Sequence, residues 1–238
     1  MKIMLIGYGK MGKTIEQIAI KRGHTVPVII DVNNGDDLKN ITSKEVDAAI
    51  EFTQPESAFL NIKQCIENGV PIVSGTTGWL EKRPEIESLC KTKAGSFFYA
   101  SNYSVGVNLF FHLNKQLAKM MNAHPEYAIA TEEIHHSAKR DAPSGTGITL
   151  AEGILENIDR KKSWVNSAEA KENELSIVSK RIDPYPGEHT IVYSSSIDEI
   201  KITHTANSRE GFATGAVLAA EFIASKKGVF GMDDMLKF

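Results

Sequence analysis

Lys2-Ile3-Met4-Leu5-Ile6-Gly7-Tyr8-Gly9-Lys10-Met11-Gly12 follows Met1, and the reading of this stretch decides the fold. Ile3–Ile6 is a short apolar run that stops at glycine. Beyond it Met11, Ile15, Ile18 and Ala19 recur at helical spacing up to Arg22. Gly7, Gly9 and Gly12 fit G-x-G-x-x-G at the turn between strand and helix. There Gly7 allows the tight turn, Gly9 lets backbone approach a pyrophosphate, and Gly12 lets helix and strand pack closely. The helix start adds unpaired N–H groups and a positive dipole end for phosphates. Thr25–Ile30 reads as the next strand, with Pro27 suited to a sheet edge. Asp31 ends it, 19 residues after Gly12, where an acidic residue binds the adenosine ribose hydroxyls. A glycine turn that binds nothing is the competing reading; the full βαβ context and Asp31 count against it.

Working outward, Asp47–Phe52, Val70–Ser74 and Ser96–Ala100 are further apolar runs, separated by helical patterns over Pro55–Asn68 and Glu81–Lys93. Strand alternating with helix predicts an α/β fold, a Rossmann-type doubly wound parallel sheet over about residues 1–104. The pattern then changes. Val105–Asn122 and Gly145–Asn157 read as helices, Tyr127–Ile134 as a strand, and Arg160–Glu174 as a loop or weak helix. Ser176–Ile182, His189–Ser195 and Glu199–Ala206 read as strands in meander-type antiparallel pairs. Residues 105–208 are thus expected to form a second α+β domain with a mostly antiparallel or mixed sheet. A last helix, Glu210–Lys227, is expected to end at Gly228, and the segment 209–238 to pack back on the first domain.

Apolar residues make up 42% of the 238, enough for cores that need no disulfide staples. The net charge of −3 gives no broad pull toward nucleic acid or an anionic membrane. Cys65 and Cys90 form no CxxC pair and no zinc set, so the expectation is two buried or half-buried thiols in a reducing cytoplasm. The leading apolar run is too short for a signal peptide, and no stretch reaches membrane-spanning length. A cytoplasmic protein acting on a small molecule is expected.

Three short polar loops follow strands: Phe52-Thr53-Gln54-Pro55, Gly75-Thr76-Thr77-Gly78 and Ser101-Asn102-Tyr103-Ser104. Ligands of open α/β sheets bind at the carboxyl ends of strands. Phe52, Thr53, Gly75, Thr76, Thr77, Ser101, Asn102, Tyr103 and Ser104 therefore join Gly7, Tyr8, Gly9, Lys10, Met11, Gly12 and Asp31 as cofactor contacts. Plain turn chemistry is the alternative for any one loop alone. Asp31 would repel a 2′-phosphate, whereas Lys10 could reach one. The cofactor expected is NADH with acceptance of NADPH.

Glu133-Ile134-His135-His136-Ser137-Ala138-Lys139-Arg140-Asp141-Ala142-Pro143-Ser144-Gly145-Thr146 leaves a strand and enters a helix. Asp141 and Ser144 are candidate N-caps. Ser144, Gly145 and Thr146 open the helix and make a site for a carboxylate. His135 and His136 are candidates because a histidine has the pKa for proton transfer near neutrality, and a lysine near other cations can become a useful acid. Such a group suits a dianionic substrate that must receive a proton. A metal set drawn from Glu132, Glu133, His135 and His136 is a poor alternative, because adjacent strand residues face opposite ways.

On these residues the chain resembles the 4-hydroxy-tetrahydrodipicolinate (dihydrodipicolinate) reductase family. The resemblance extends through Glu51-Phe52-Thr53-Gln54-Pro55, Gly75–Gly78, Asn102-Tyr103-Ser104-Val105-Gly106-Val107-Asn108, Gly187-Glu188-His189-Thr190, Ile202–Arg209 and Phe212-Ala213. It implies NAD(P)H-dependent reduction of 4-hydroxy-tetrahydrodipicolinate to tetrahydrodipicolinate in the diaminopimelate route to lysine. It implies that His135 donates or accepts a proton, that Lys139 donates one, and that His136, Gly145 and Thr146 hold the substrate. It also implies a homotetramer built through the second domain's sheet, and because the two expected sites lie on different domains, closure of the domains around both ligands is expected. Two departures stand out: a trimmed region around 158–175, and Gly147 where alanine is usual, a change expected to matter little. The rival readings are a dehydrogenase for another small acid and a nucleotide sensor without turnover.

Overall fold

The computed structural model describes residues 1–208 and 210–238; Arg209, which closes the quoted 202–209 stretch, lies outside the described residues. In chain order the elements begin β1 (Lys2–Ile6), α1 (Lys10–Lys21), β2 (Thr25–Ile30), β3 (Ala48–Glu51), α2 (Pro55–Glu67), β4 (Ile72–Ser74), α3 (Arg83–Thr92) and β5 (Ser96–Tyr99). They continue with α4 (Val105–Met121), β6 (Ala128–His135), α5 (Gly145–Leu155), β7 (Ser163–Val165), β8 (Glu174–Arg181), β9 (Gly187–Ser194) and β10 (Glu199–Ala206). The last are α6 (Glu210–Ile223), β11 (Gly228–Phe230) and α7 (Met232–Leu236). The chain divides into two compact units. One holds Met1–Val105 together with Glu210–Phe238, and the other begins at Gly106 and takes in the residues between.

The first unit is a six-stranded parallel sheet in the order β11-β5-β4-β3-β1-β2. Alternate residues of a strand face opposite ways, and β1 shows the consequence. Ile3 and Leu5 join Ile15 and Ala19 of α1 and Ala216, Ala220 and Ile223 of α6 in one core. Met4 and Ile6 join Ile62 and Ile66 of α2 and Ile86 and Cys90 of α3 in another. Cores on both faces make the sheet doubly wound, as its alternating pattern predicts. Pro27 sits on β2, an edge strand. The β1–β2 register runs Lys2↔Thr25 and then Met4↔Val28, so one extra β2 residue is accommodated where proline offers no N–H.

The carboxyl terminus departs from the sequence reading. The helix expected to run to Lys227 stops at Ile223, and Gly228 opens a sixth strand beside β5, with Val229 opposite Phe97. Three residues are too few to display an alternation, so this strand left no pattern to find.

The second unit holds a mixed sheet in the order β10-β9-β6-β8-β7. β9 and β10 pair antiparallel along their whole length, from Glu199↔Ser194 to Ala206↔Gly187. β8 does not continue that meander. It pairs parallel with β6, which lies between β8 and β9, and the polar stretch after Arg160 contributes the short β7. Phe110, Leu117, Ile129, Leu150, Ile154, Leu175, Ile177, Ile191 and Tyr193 form one core under α4 and α5. The central position of β6 brings its last residues, Glu133 and His135, between two neighbouring strands.

Candidate active site

In the first unit the glycine turn has the geometry its spacing implies. Gly7 has φ of +92°, and a β-carbon there would lie 2.1 Å from the Phe52 carbonyl oxygen. One on Gly12 would lie 2.3 Å from the Gly7 carbonyl oxygen, whereas one on Gly9 would meet no atom within 4 Å. Gly9 is the N-cap of α1, makes no side-chain cap, and is followed by no acidic residue in the first turn. The turn therefore presents amides and open space where an anionic group can approach.

Two adjoining crevices meet there. Lys10, Met11, Gly12, Thr53, Gly75, Thr76 and Thr77 line one with Gly9. Gly7, Tyr8, Asp31, Val32, Gly35, Ser57 and Asn61 line the other, and Gly9, Phe52, Thr53 and Gln54 belong to both. Lys10 and Asp31 thus edge different crevices. The Asp31 backbone is set by Asn34, whose Oδ1 accepts the Asp31 amide at 2.7 Å and whose Nδ2 donates to the Ile29 carbonyl at 3.0 Å. Together the paired crevices leave room for an extended ligand along the carboxyl ends of the strands.

Glu51, fully buried at the end of β3, organises the loops beneath. Its Oε1 accepts from the Thr53 amide at 2.9 Å, the Thr53 hydroxyl at 2.5 Å and the Thr76 hydroxyl at 2.7 Å, and its Oε2 from the Ser74 hydroxyl at 2.5 Å. Trp79 Nε1 donates to the Thr76 carbonyl at 2.7 Å. Of the Ser101–Ser104 loop, Tyr103 is buried, packs on Phe52 and Phe98, and donates its hydroxyl to the Ser74 carbonyl at 2.6 Å. Its side chain supports the Gly75–Thr77 loop from below and does not line either crevice. Glu51 was visible in the sequence as part of a quoted segment, but its role arises only from Ser74 and Thr76 arriving on the neighbouring strand. Glu51→Ala should leave buried donors without an acceptor and destabilise the first unit by about 2 kcal/mol, to be read from urea unfolding.

In the second unit β6 ends in His135, and the connection 136–144 leads to α5. Ser144, not Asp141, is the N-cap of α5, its side chain accepting the Gly147 amide at 3.0 Å. Gly145 and Thr146 follow in the first turn, Gly145 exposed with open space around its α-carbon. Lys139 Nζ lies 2.9 Å from Asp141 Oδ2 and holds that carboxyl below its usual range. His135 is buried, its ring edge-to-face with His189 of β9 at 5.1 Å between centroids. Burial pushes the His135 imidazole below its ordinary range; Glu133 opposes this, and the Lys139 and Arg181 charges add to it. Burial likewise lowers His189 to about 4, against the pull of Glu133.

Glu133 is a residue the sequence reading weighed only as a poor metal ligand. It is buried, accepts the Ser144 amide and hydroxyl, and meets Arg181 at 3.4 Å and His189 Nδ1 at 3.9 Å. Burial works against its ionisation, but the two Ser144 donors hold it below the ordinary carboxylate range. Ligand-type atoms of Glu133, His135 and His189 fall within 4.8 Å of one another. The carboxylate is already committed to Ser144 and Arg181, so it reads as a support for the helix start and the β8 end, with the two imidazoles packed beside it. The Gly147 departure also carries more weight than expected. A β-carbon there would lie 2.7 Å from Glu133 Oε2, so glycine leaves room for this carboxylate.

Residues 1–103 match the description "Dihydrodipicolinate reductase, N-terminus", and residues 106–236 match "Dihydrodipicolinate reductase, C-terminus". The chain belongs to the dihydrodipicolinate reductase family. A 4-hydroxy-tetrahydrodipicolinate reductase of Christiangramia forsetii is 49% identical over 99% of this chain and 98% of its own length. One of Archaeoglobus fulgidus is 34% identical over 96% of each. Among solved structures, a dipicolinate-bound dihydrodipicolinate reductase from Paenisporosarcina sp. TG-14 superposes with a TM-score of 0.76 at 21% identity, over 97% of both chains. An amine dehydrogenase from Mycobacterium smegmatis gives 0.64 at 11% identity, covering 98% of this chain and 95% of the other. These two likenesses concern the fold. Membership in the dihydrodipicolinate reductase family rests on the matches of sequence, which run through both units.

Proposed function

We propose that this chain reduces 4-hydroxy-tetrahydrodipicolinate to tetrahydrodipicolinate in the diaminopimelate route to lysine. The observation that carries the proposal is the end of β6 and start of α5, which place His135, His136, Lys139, Ser144, Gly145 and Thr146 on one short segment of a family member. A bound reduced nicotinamide would supply the hydride, to the ring carbon conjugated with the imine. One proton must enter with it, and from the 4-hydroxy form one water leaves. Lys139 is the proton donor in this reading. Burial lowers the His135 imidazole below its ordinary range, which suits it to serve as a hydrogen-bond acceptor and orienting group. The first-turn amides of Gly145 and Thr146, with the Thr146 hydroxyl and His136, hold a substrate carboxylate.

Gly7, Tyr8, Gly9, Lys10, Met11, Gly12, Phe52, Thr53, Gly75, Thr76 and Thr77 are proposed to hold the nucleotide, with Ser101, Asn102 and Ser104 beyond them. Asp31 faces the ribose, which favours NADH over NADPH. Asp31→Ala should raise KM for NADH about tenfold, the worth of a charge-assisted hydrogen bond, and leave KM for NADPH level or lower. An equal rise for both would remove Asp31 from cofactor selection. The activity itself is tested by following loss of reduced-nicotinamide absorbance with substrate made in situ by the preceding synthase. No loss above background would favour a nucleotide sensor, and turnover of other small acids would favour a different dehydrogenase.

The proposal includes a cytoplasmic homotetramer. No helix among the described residues is long and apolar enough to cross a membrane, and both cysteines are buried free thiols. The sheet face away from α4 and α5 presents Ala130, Val178 and Val192 around the Lys180–Glu132 ion pair, a surface that second copies of the sheet can cover.

A further inference from the structure

The connection 136–144 carries His136, Lys139 and Ser144 without helix or strand of its own. Chain of that kind holds a side chain in place only if other elements hold the chain. Three groups do so here. Asp183 accepts the Ser137 amide at 3.1 Å and the Ser137 hydroxyl at 2.5 Å. Arg181, the last residue of β8, donates from Nε to the Lys139 carbonyl at 3.3 Å and from Nη2 to the Asp141 carbonyl at 2.5 Å. The same Nη2 meets Glu133 Oε1 at 3.4 Å. Glu133 in turn accepts the Ser144 amide at 3.0 Å and the Ser144 hydroxyl, and Ser144 Oγ accepts from Gly147. One continuous path thus runs from the Lys139 backbone through Arg181 and Glu133 to the first turn of α5.

We propose that Arg181 and Glu133 are positioning residues for the reduction: together they clamp both ends of the 136–144 connection, setting Lys139 and the carboxylate-binding helix start at a fixed spacing. The path needs a planar fork that donates in two directions at once, which arginine has and lysine lacks. It also needs a carboxylate that accepts from an amide, a hydroxyl and the guanidinium together. The side chain of Arg181 is 21% exposed and that of Glu133 1%, so water competes weakly for these bonds. Gly147 belongs to the same construction, because a methyl group there would crowd Glu133 Oε2. Neither Arg181 nor Glu133 is required to touch the reacting atoms.

This inference rests on Lys139 as proton donor, and the test separates the two. Arg181→Ala, Arg181→Lys, Glu133→Gln, Lys139→Ala and the double variant R181A/K139A are compared for kcat, substrate KM and nucleotide KM. Circular dichroism and melting are recorded for each. R181A is expected to lower kcat about 100-fold, the effect of a misplaced group at a reacting centre, with nucleotide KM unchanged. R181K should not recover the loss, whereas added methylguanidinium should recover part of it in R181A. E133Q should lower kcat about tenfold, the worth of about 1.4 kcal/mol. The loss in the double variant should fall well short of the product of the two single losses, because one of the two groups that the clamp positions is gone. A kcat for R181A within about twofold of the parent, or losses that multiply in the double variant, would overturn the clamp. If R181A does not fold, R181K carries the same comparison, and a fully active R181K overturns it. An unimpaired K139A removes the proton-donor reading, and the clamp falls with it; K139A alone therefore tells the two failures apart.

Discussion

Lys139→Ala is expected to lower kcat by about 10²–10⁴-fold, the range that a positioned general acid contributes, while KM for the reduced nucleotide stays unchanged. The reasoning has three parts. Lys139 stands on the connection between β6 and α5, three residues after His136, and its Nζ pairs with Asp141 at 2.9 Å. His135 is less suited to hold the proton, since burial lowers its imidazole below the ordinary range. The nucleotide crevices belong to the first unit, formed without any residue of this connection. Chemistry should therefore fail while nucleotide binding persists. Steady-state rates and nucleotide titration by protein fluorescence check both halves. Turnover near the parent value would assign the proton to another group, and a parallel loss of nucleotide affinity would point to general damage.

Gly7→Ala should have the largest effect on the first unit. A left-handed φ of +92° costs an L-residue about 1–2 kcal/mol, and a methyl group 2.1 Å from the Phe52 carbonyl oxygen must displace β3's exit loop. Overpacking of that kind costs about 1–3 kcal/mol, so a total near 3 kcal/mol is expected. Phe52 lines both crevices, so the displacement should also weaken nucleotide binding at least tenfold, about 1.4 kcal/mol. Urea unfolding and fluorescence titration measure the two effects. A G7A protein with parental stability and affinity would show that the turn relaxes freely, and the assigned role of Gly7 would be lost. Gly9→Ala is the internal comparison. It meets no protein atom, so any loss of nucleotide affinity there reflects the ligand's own approach.

Much of the fold could be read from local pattern, for identifiable reasons. β1 alternates Ile3 and Leu5 with Met4 and Ile6, but with both faces covered it appears as one continuous apolar run. α1, α2 and α4 have long enough amphipathic periods to be found within a residue or two of their observed ends. β7 and β11, of three residues each, could not be found this way, because neither completes a period of its own. The pairing of β6 with β8 was hidden for another reason. Residues separated by a helix and a loop carry no local sign of which edge they will join, and the antiparallel meander seemed nearer in sequence.

The candidate site divides along the same line. The glycines, Asp31, Lys139 and the Ser144 cap are chemical requirements of short segments, and short segments display them. Glu51, Glu133, His189 and Arg181 depend on partners distant in sequence, among them Ser74, 23 positions from Glu51, and His189, 56 positions from Glu133. Sequence by itself determined that the chain is an α/β protein with a glycine turn between strand and helix, and it singled out Glu133 to Thr146 as the candidate proton-donating and acid-binding segment. Only the tertiary structure decided what holds that segment, that Asp141 does not cap the helix, and that burial lowers the His135 imidazole. Burial and hydrogen-bond partnership are properties of neighbours in space, and the folded strands bring those neighbours together.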